Sequence, residues 1–376
     1  MYEMIEKYAE EKRDEVFTLL KDLCGIPAPS HSEEKRAEFI KNWLEDIGAT
    51  RVYIDDALNV IFPLNCENSN EITVFAAHTD TVFPDIEPMP YIDDGTKIHS
   101  PGVADDTASV VAILLMAKYF TENNIIPKKG IMFVLNSCEE GLGNLKGTRK
   151  LFSDFKTRIK RFITFDANLG VVNDVCVGSH RYEVEVLTEG GHSYLAFGNK
   201  NAINIASKII NNIYKIEVPK KEGAKTTYNV GTISGGTSVN TIAQNVKFLC
   251  EYRSDNVDCL SYMEKEFEKI FENAKEDDVS VNVKKIGIRP CADIDIKKVE
   301  ELKDIIVPEI EKILKKKVDF KSSSTDCNIP LSLGIPALCV GVNSYEGMHT
   351  REEWVDKESI ITGLKVGLAI SMKFID

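Results

Sequence analysis

Short apolar runs alternate with longer helical patterns along the first half of the chain. Three runs have the length and the near-continuous hydrophobicity of buried strands: EITVFAAH, GIMFVLNSCEE and RFITFDANLG. Two segments with helical spacing lie between them: TASVVAILLMAKYFTEN and GNLKGTRKLF. This alternation predicts an α/β fold, with a largely parallel mixed sheet and helices on both faces.

The segment SHSEEKRAEFIKNWLEDIG predicts a surface helix ahead of this sheet. A serine before its acidic residues has the character of a helix cap, apolar residues follow at helical spacing, and Gly48 ends the pattern. The N-terminus is charged and helical in pattern, without an apolar signal segment, and the chain has no run of about 18 apolar residues. We therefore expect a cytoplasmic protein that does not act at a membrane.

The pattern changes at about residue 180. Strands with polar alternation, such as HRYEVEVLTEG and NVKFLCEYRS, now combine with two amphipathic helices, NAINIASKIINNIYKI and CLSYMEKEFEKIFENA. Near residue 292 the first pattern returns. The simplest interpretation is an α+β domain at 180–291, inserted between the two parts, 1–179 and 292–376, of one catalytic domain.

Composition narrows the class of partner. A net charge of −13 disfavours nucleic acid, because binding phosphates requires a basic surface. None of the nine cysteines forms a Cys-x-x-Cys pair, so neither a structural zinc site nor a redox motif is indicated. We expect the cysteines to be reduced and mostly buried.

Polar residues follow the predicted strands where each one ends. His78 and Asp80 come directly after an apolar run, and residues two apart on an extended chain point to the same side. They therefore suit a metal ligand and the group that orients it, although a capped strand end would give the same pattern. Further polar residues lie at strand ends or at a helix start: Asp105, Asp106, Glu139, Glu140, Asp166 and His349.

Each of these residues alone has an ordinary explanation, such as a helix cap or a solvated turn. Together they would meet at the carboxyl edge of a parallel sheet, where open α/β folds bind their ligands. Two histidines and several carboxylates suit a pair of divalent metals, zinc being the commonest fit. One carboxylate would bridge the ions, and another would act as general base; the adjacent Glu139 and Glu140 offer this division of labour.

The same motifs carry a resemblance to a known family. From about residue 20 to the C-terminus, the chain resembles the di-zinc hydrolases that include peptidase T, carboxypeptidase G, aminoacylase and succinyl-diaminopimelate desuccinylase. The motifs occur in this order: HTDTV, SPGVADD, SCEEGLGNLKG, FDA, GGHS, GGTSVNTIAQ and GMHTREEWV.

The resemblance implies a zinc-peptidase-like catalytic domain and two divalent ions, with cobalt or manganese as alternatives to zinc. The implied metal ligands are His78, Asp105, Glu140, Asp166 and His349. Asp105 would bridge the ions, across a cis peptide to Asp106, and Glu139 would be the general base. Asp80 would orient the His78 ring.

Three positions bear on the subfamily. The family often has an acidic residue where this chain has Cys138, and often Lys-Gly-Gly where the helix after Asp106 begins with Thr107. The position of Asp166 is Asp in some members and Glu in others, and Asp is loosely associated with peptidases.

The inserted domain resembles a lid and dimerisation domain. The resemblance implies that His192 stabilises an oxyanion and that Asn240 and Arg253 hold polar groups of the substrate. For Arg253 that group would be a carboxylate, although a solvated strand residue would look the same in sequence. We expect a homodimer in which His192 of one chain completes the site of the other.

The sequence is compatible with three functions. The main hypothesis is a metallopeptidase that cleaves short peptides next to a free terminus. The alternative is an N-acyl amino acid deacylase or desuccinylase, which uses the same metal chemistry. A catalytically silent binding protein is the third, and the intact set of ligands and base argues against it.

Overall fold

The computed structural model describes all 376 residues, which divide into two compact units. The first unit combines residues 1–176 and 293–376, and the second comprises residues 177–292. Elements are numbered along the whole chain. No helix combines the length and the apolar composition that crossing a bilayer requires.

The first unit contains the following helices: α1 (Tyr2–Glu11), α2 (Arg13–Cys24), α3 (Glu34–Asp46), α4 (Ala108–Glu122), α5 (Lys146–Phe155), α8 (Ile296–Leu314), α9 (Asn328–Ser332) and α10 (Lys357–Ser371). Three short helical turns lie at Val103–Thr107, Gly141–Gly143 and Met372–Phe374. Its strands are β1 (Tyr53–Ile54), β2 (Val60–Leu64), β3 (Ile72–His78), β4 (Ile92–Asp93), β5 (Lys97–His99), β6 (Gly130–Asn136), β7 (Ile159–Thr164), β8 (Val171–Cys176), β15 (Asp319–Ser323), β16 (Ala337–Val340), β17 (Tyr345–Glu346) and β18 (Trp354–Asp356).

Eight strands form a mixed sheet in the order β1-β2-β6-β3-β7-β16-β8-β15. The four strands β6, β3, β7 and β16 at its centre are mutually parallel, whereas β2 pairs with β6 and β16 pairs with β8 in antiparallel fashion. Every residue of β3 and β6 is buried, so both faces of the sheet are covered there. This confirms the predicted α/β fold and explains why these strands are almost uniformly apolar.

The parallel centre determines where the functional side chains collect. Since β3, β6 and β7 run in the same direction, their carboxyl ends at His78, Asn136 and Thr164 lie on the same edge of the sheet. Residues that follow these strands are therefore brought together although they are far apart in sequence. A second sheet, β17-β18-β5-β4, was not predicted, because strands of two or three residues are too short to show a period.

Buried Arg36 ties helix α3 to this edge. Its guanidinium donates to the backbone carbonyls of Leu23 at 3.0 Å, Ile26 at 2.6 Å and Thr79 at 2.8 Å. Thr79 directly follows β3, so Arg36 supports the chain next to His78. Removing a buried charged donor of this kind leaves its carbonyl partners unpaired and typically costs about 3 kcal/mol or more.

The predicted serine cap of α3 is wrong. The residue before the helix is Glu33, and no side chain caps the helix start. The nearby Ser30 instead donates its hydroxyl to the Asp80 carboxylate at 2.6 Å. Ser30 and Glu33 thus form hydrogen bonds at the carboxyl edge of the sheet instead of capping the helix.

The second unit is built from two helices, a four-stranded antiparallel sheet and a short strand pair. Its elements are α6 (Ala202–Ile213), α7 (Val257–Asn273), β9 (Gly178–Thr188), β10 (Gly191–His192), β11 (Thr226–Gly235), β12 (Thr241–Ile242), β13 (Asn245–Ser254) and β14 (Val279–Arg289). Four strands form an antiparallel sheet in the order β11-β13-β9-β14, and β10 pairs with β12. Alternate residues of β13 are buried against the helices, which explains the polar alternation of its sequence.

Candidate active site

The metal-type cluster is centred on Asp105. The Oδ1 atom of Asp105 lies 3.0 Å from Nε2 of His78, and its Oδ2 atom lies 2.9 Å from Nε2 of His349. Each carboxylate oxygen thus faces a different histidine. The peptide bond between Asp105 and Asp106 is cis, as the resemblance implied. The backbone N–H of His78 donates to Oδ2 of Asp106 at 3.0 Å, which joins the end of β3 to this turn.

The tautomer of His78 follows from its second nitrogen. Nδ1 lies 3.1 Å from the backbone oxygen of Asp80 and 3.4 Å from its carboxylate. Because a carbonyl oxygen only accepts, Nδ1 carries a proton, and Nε2 is the nitrogen available as a ligand. The closer contact of the ring with Asp80 is thus to its main-chain oxygen.

The carboxylate of Asp80 has a further task. Its Oδ1 accepts the backbone N–H of Glu139, and its Oδ2 accepts that of Glu140, both at 2.9 Å. These amides belong to the turn that follows β6. Burial would raise the pKa of Asp80, but its contact with His78 and these donors lower that pKa overall. An ionised Asp80 thus connects the end of β3 with the glutamate pair.

The remaining predicted ligands complete the cluster. Oε1 of Glu140 lies 3.2 Å from Nε2 of His349, and the His349 side chain is about half exposed. Asp166 follows β7 and is partly buried. Three groups of side chains have ligand atoms within 4.8 Å of one another: His78–Asp105–Asp166, Asp105–Glu140–His349, and His78–Glu139–Glu140.

Several acidic side chains lie close together in the cluster, and this crowding shifts their pKa values. Burial, followed by repulsion from Asp105, raises the pKa of Glu140 to about 8 and raises that of Asp166 well above its usual range. Hydrogen bonds to Asp105 and Glu140 raise the pKa of His349 to about 10. Protons on these groups thus offset negative charge, and a divalent cation would do so more effectively.

The donor set therefore fits divalent metal ions. Imidazole nitrogen and carboxylate oxygen are the ligands of zinc and of related divalent ions in proteins. The first two groups share Asp105, whose oxygens face opposite ways, and sharing of this kind is what a bridging carboxylate requires.

The sequence analysis missed supporting acids, of which Glu353 is the first. Glu353 accepts the backbone N–H groups of Gly102 at 3.0 Å, Ala104 at 2.8 Å and Asp105 at 3.1 Å, and so holds the loop that presents Asp105. Burial, followed by repulsion from Asp105, raises the pKa of Glu353 to about 7. The motif GMHTREEWV contains Glu353, but only its contacts with amides 248 to 251 residues away in sequence reveal what it does.

Asp326 is the second missed residue. It is buried, and it accepts hydrogen bonds from Asn136, at 2.6 Å, and from the Thr148 hydroxyl. Burial and the nearby charge of Glu139 raise the pKa of Asp326 to about 6. Asp326 thus adds negative charge close to Glu139 from a loop that showed no strand or helix period.

The three predicted residues of the second unit lie within that unit at two places. His192 and Asn240 are brought together, because Ser193 donates its N–H to the Asn240 carbonyl at 3.0 Å. Nδ1 of His192 accepts from the N–H groups of Tyr194 at 3.2 Å and Leu195 at 3.4 Å. A neutral His192 ring therefore carries its proton on Nε2, where it can act as a donor.

Arg253 lies on β13, away from this hairpin pair. The Nε and Nη2 atoms of its guanidinium donate to the two carboxylate oxygens of Glu251, at 2.8 and 3.1 Å. Arg181 donates to the same carboxylate at 3.3 Å. The sequence analysis did not name this partner, although Glu251 and Arg253 are two residues apart on a strand and therefore share one of its faces.

Comparisons with known proteins agree with this geometry. The sequence model of peptidase family M20/M25/M40 matches residues 74–373. A tripeptidase of Staphylococcus aureus has a similar structure, with a TM-score of 0.77 and 22% identity, over 97% of this chain and 99% of that one.

Two curated relatives extend the comparison. A Peptidase M20 domain-containing protein of Schizosaccharomyces pombe is 29% identical over 245 residues, which cover 62% of this chain and 59% of that protein. The N-acetyldiaminopimelate deacetylase of Bacillus pumilus is 22% identical over 383 aligned positions, which cover 96% of this chain and 98% of that protein.

Divalent metal should stabilise the folded protein, because a cation relieves repulsion among the buried acids. We expect the unfolding temperature of chelator-treated protein to rise on titration with Zn²⁺ or Mn²⁺, a ligand at about 100 times its dissociation constant adding about 2.7 kcal/mol. Asp105→Asn should lose most of this rise, whereas Asp56→Asn, an exposed control, should keep it. An equal rise in both variants would contradict the assignment of Asp105.

Proposed function

The chain belongs to peptidase family M20/M25/M40, whose members are metal-dependent hydrolases, and we propose that it cleaves short peptides with the help of two divalent metal ions. The observation that carries this proposal is the pair of ligand groups that share Asp105. One ion would be held by His78, Asp105 and Asp166. The other would be held by Asp105, Glu140 and His349.

Ions held by these residues would supply Lewis-acid chemistry, because they would lower the pKa of a shared water and polarise the carbonyl oxygen of the substrate. Zinc best fits the mixed nitrogen and oxygen donors, and cobalt or manganese fits as well. The protein supplies the fixed orientation of the donors, through the His78 tautomer and the amides held by Asp80 and Glu353.

Glu139 is the proposed general base. It takes the proton from the attacking water and returns it to the leaving amine. Its position supports this role: it is buried next to Glu140, its backbone N–H is held by Asp80, and it belongs to neither ligand group that contains Asp105.

The substrate is a peptide in the first proposal and an acylated amino acid in the second. The tripeptidase fold and the aspartate at position 166 favour the peptide. The deacetylase that aligns with almost the whole chain favours the acylated amino acid.

Nine cysteines without a disulfide support the cytoplasmic location that the sequence suggested, because thiols stay reduced there.

We further propose that the protein works as a homodimer and that His192 of one chain serves the site of the other. Two observations in the second unit support an interface. Strand β11 is an exposed edge of its sheet, and Tyr194, Leu195 and Phe197, directly after His192, are each more than four-fifths exposed. The Nε2 proton of His192 would stabilise the oxyanion, with Asn240 beside it. Arg253 would have to exchange Glu251 for a substrate carboxylate.

Substitutions of Glu139 and Glu140 should impair the enzyme in two different ways. Glu139→Gln removes a proton acceptor but leaves the ligands intact, so we expect metal content to be retained and turnover to fall by about 100-fold or more. Glu140→Gln removes a ligand, so we expect metal affinity to fall. Metal content and rate measured on both proteins test this, and equal metal loss would refute the division of labour.

A substrate panel separates the two amide hydrolases. Di- and tripeptides should be cleaved by metal-loaded protein at least about 100-fold more efficiently than acetyl- and succinyl-amino acids, as judged by kcat/KM. Glu139→Gln protein from the same preparation controls for contaminating peptidases. Cleavage of acylated amino acids alone would establish the second proposal.

Complementation tests the shared site. His192→Ala and Glu139→Gln chains, each nearly inactive, are refolded together so that mixed dimers form. In a mixed dimer one site has Glu139 from its own chain and His192 from its partner, so random pairing should restore about a quarter of wild-type activity. A monomeric protein, or dimers without recovery, would exclude the shared site.

A further inference from the structure

Glu33 is a buried acid outside the metal cluster. It precedes helix α3, its side chain has no exposed surface, and it forms no ion pair. Burying a carboxyl group that makes no direct ion pair is costly, so its contacts should have a compensating role.

Those contacts are with the turn that carries the glutamate pair. Oε1 of Glu33 accepts the backbone N–H of Cys138 at 3.0 Å and lies 3.2 Å from the Cys138 sulfur. The next two amides, of Glu139 and Glu140, are accepted by Asp80. Two buried carboxyl groups thus bind three successive N–H groups of one turn.

This turn requires support because its backbone is strained. Cys138 has a φ of 55°, in the left-handed region that residues other than glycine and asparagine rarely occupy. Its conformation sets the direction in which the chain leaves β6 and presents the side chain of Glu139. Without an acceptor for its N–H, Cys138 would relax toward a common backbone conformation, and Glu139 would turn with it.

Only one oxygen of the Glu33 carboxyl group contacts the turn. Oε2 is buried and has no hydrogen-bond partner. Burial, followed by the nearby charge of Asp80, raises the pKa of Glu33. An uncharged group with one oxygen in the position of Oε1 should therefore serve nearly as well.

We propose that Glu33 is a positioning residue that holds the backbone of Cys138, and through it the general base Glu139, in the orientation that proton transfer requires. The inference rests on the proposed role of Glu139. It assigns Glu33 an effect on the chemical step, separate from metal binding and from substrate binding.

The test is the separation of kcat from KM in metal-saturated protein. Glu33→Ala should lower kcat about 100-fold, the scale expected for misplacing a reacting group by about 1 Å, while KM and metal content stay within about twofold. Glu33→Gln keeps an acceptor oxygen and should recover most of the lost rate. Glu34→Ala, at the exposed neighbouring position, is the matched control.

Each other outcome overturns the proposal. Equal kcat in Glu33→Ala and Glu34→Ala would show that Glu33 does not position the base, and a parallel loss of metal would show a structural role only. If Glu33→Ala does not fold, Glu33→Asp replaces it, because its carboxylate is too short to reach the amide; equal rates for Glu33→Asp and Glu33→Gln would then refute the proposal. An active Glu139→Gln would refute the proposed function instead, whereas an inactive Glu139→Gln beside a fully active Glu33→Ala would refute this inference alone.

Discussion

Buried carboxyl groups at the carboxyl edge of the central sheet are the constraint on which the rest of the site depends. Each must be offset by a proton, a hydrogen-bond donor or a cation, because an unpaired charge is expensive in the interior. Asp105 is offset by two histidines, one at each oxygen. The same arrangement, with cations in place of protons, is the metal site that we propose for this member of a metal-dependent family.

A second group of acids is offset by backbone amides and serves as scaffolding. Asp80, Glu353 and Glu33 accept N–H groups from the two loops that carry the proposed ligands and the proposed base. These contacts supply acceptors for loop N–H groups that have no partner in a regular element. Arg36 complements these acids, because its guanidinium donates to a backbone carbonyl directly after β3.

The sequence could predict the side chains that follow apolar strands, because strand direction alone brings such positions together. His78 and Asp166 belong to this class, and the structure places both in the cluster. Glu33 and Glu353 could not be predicted, since they act on amides about 105 and 248 residues away and mark no period of their own. The same contacts explain the failed helix cap, because Ser30 and Glu33 face the site rather than the helix.

The most direct measurement is anomalous diffraction from zinc-loaded crystals. The account predicts two peaks about 3.5 to 4 Å apart on either side of the Asp105 carboxylate. One peak should contact His78 and Asp166, and the other Glu140 and His349. A single peak, or a pair that does not share Asp105, would contradict the account.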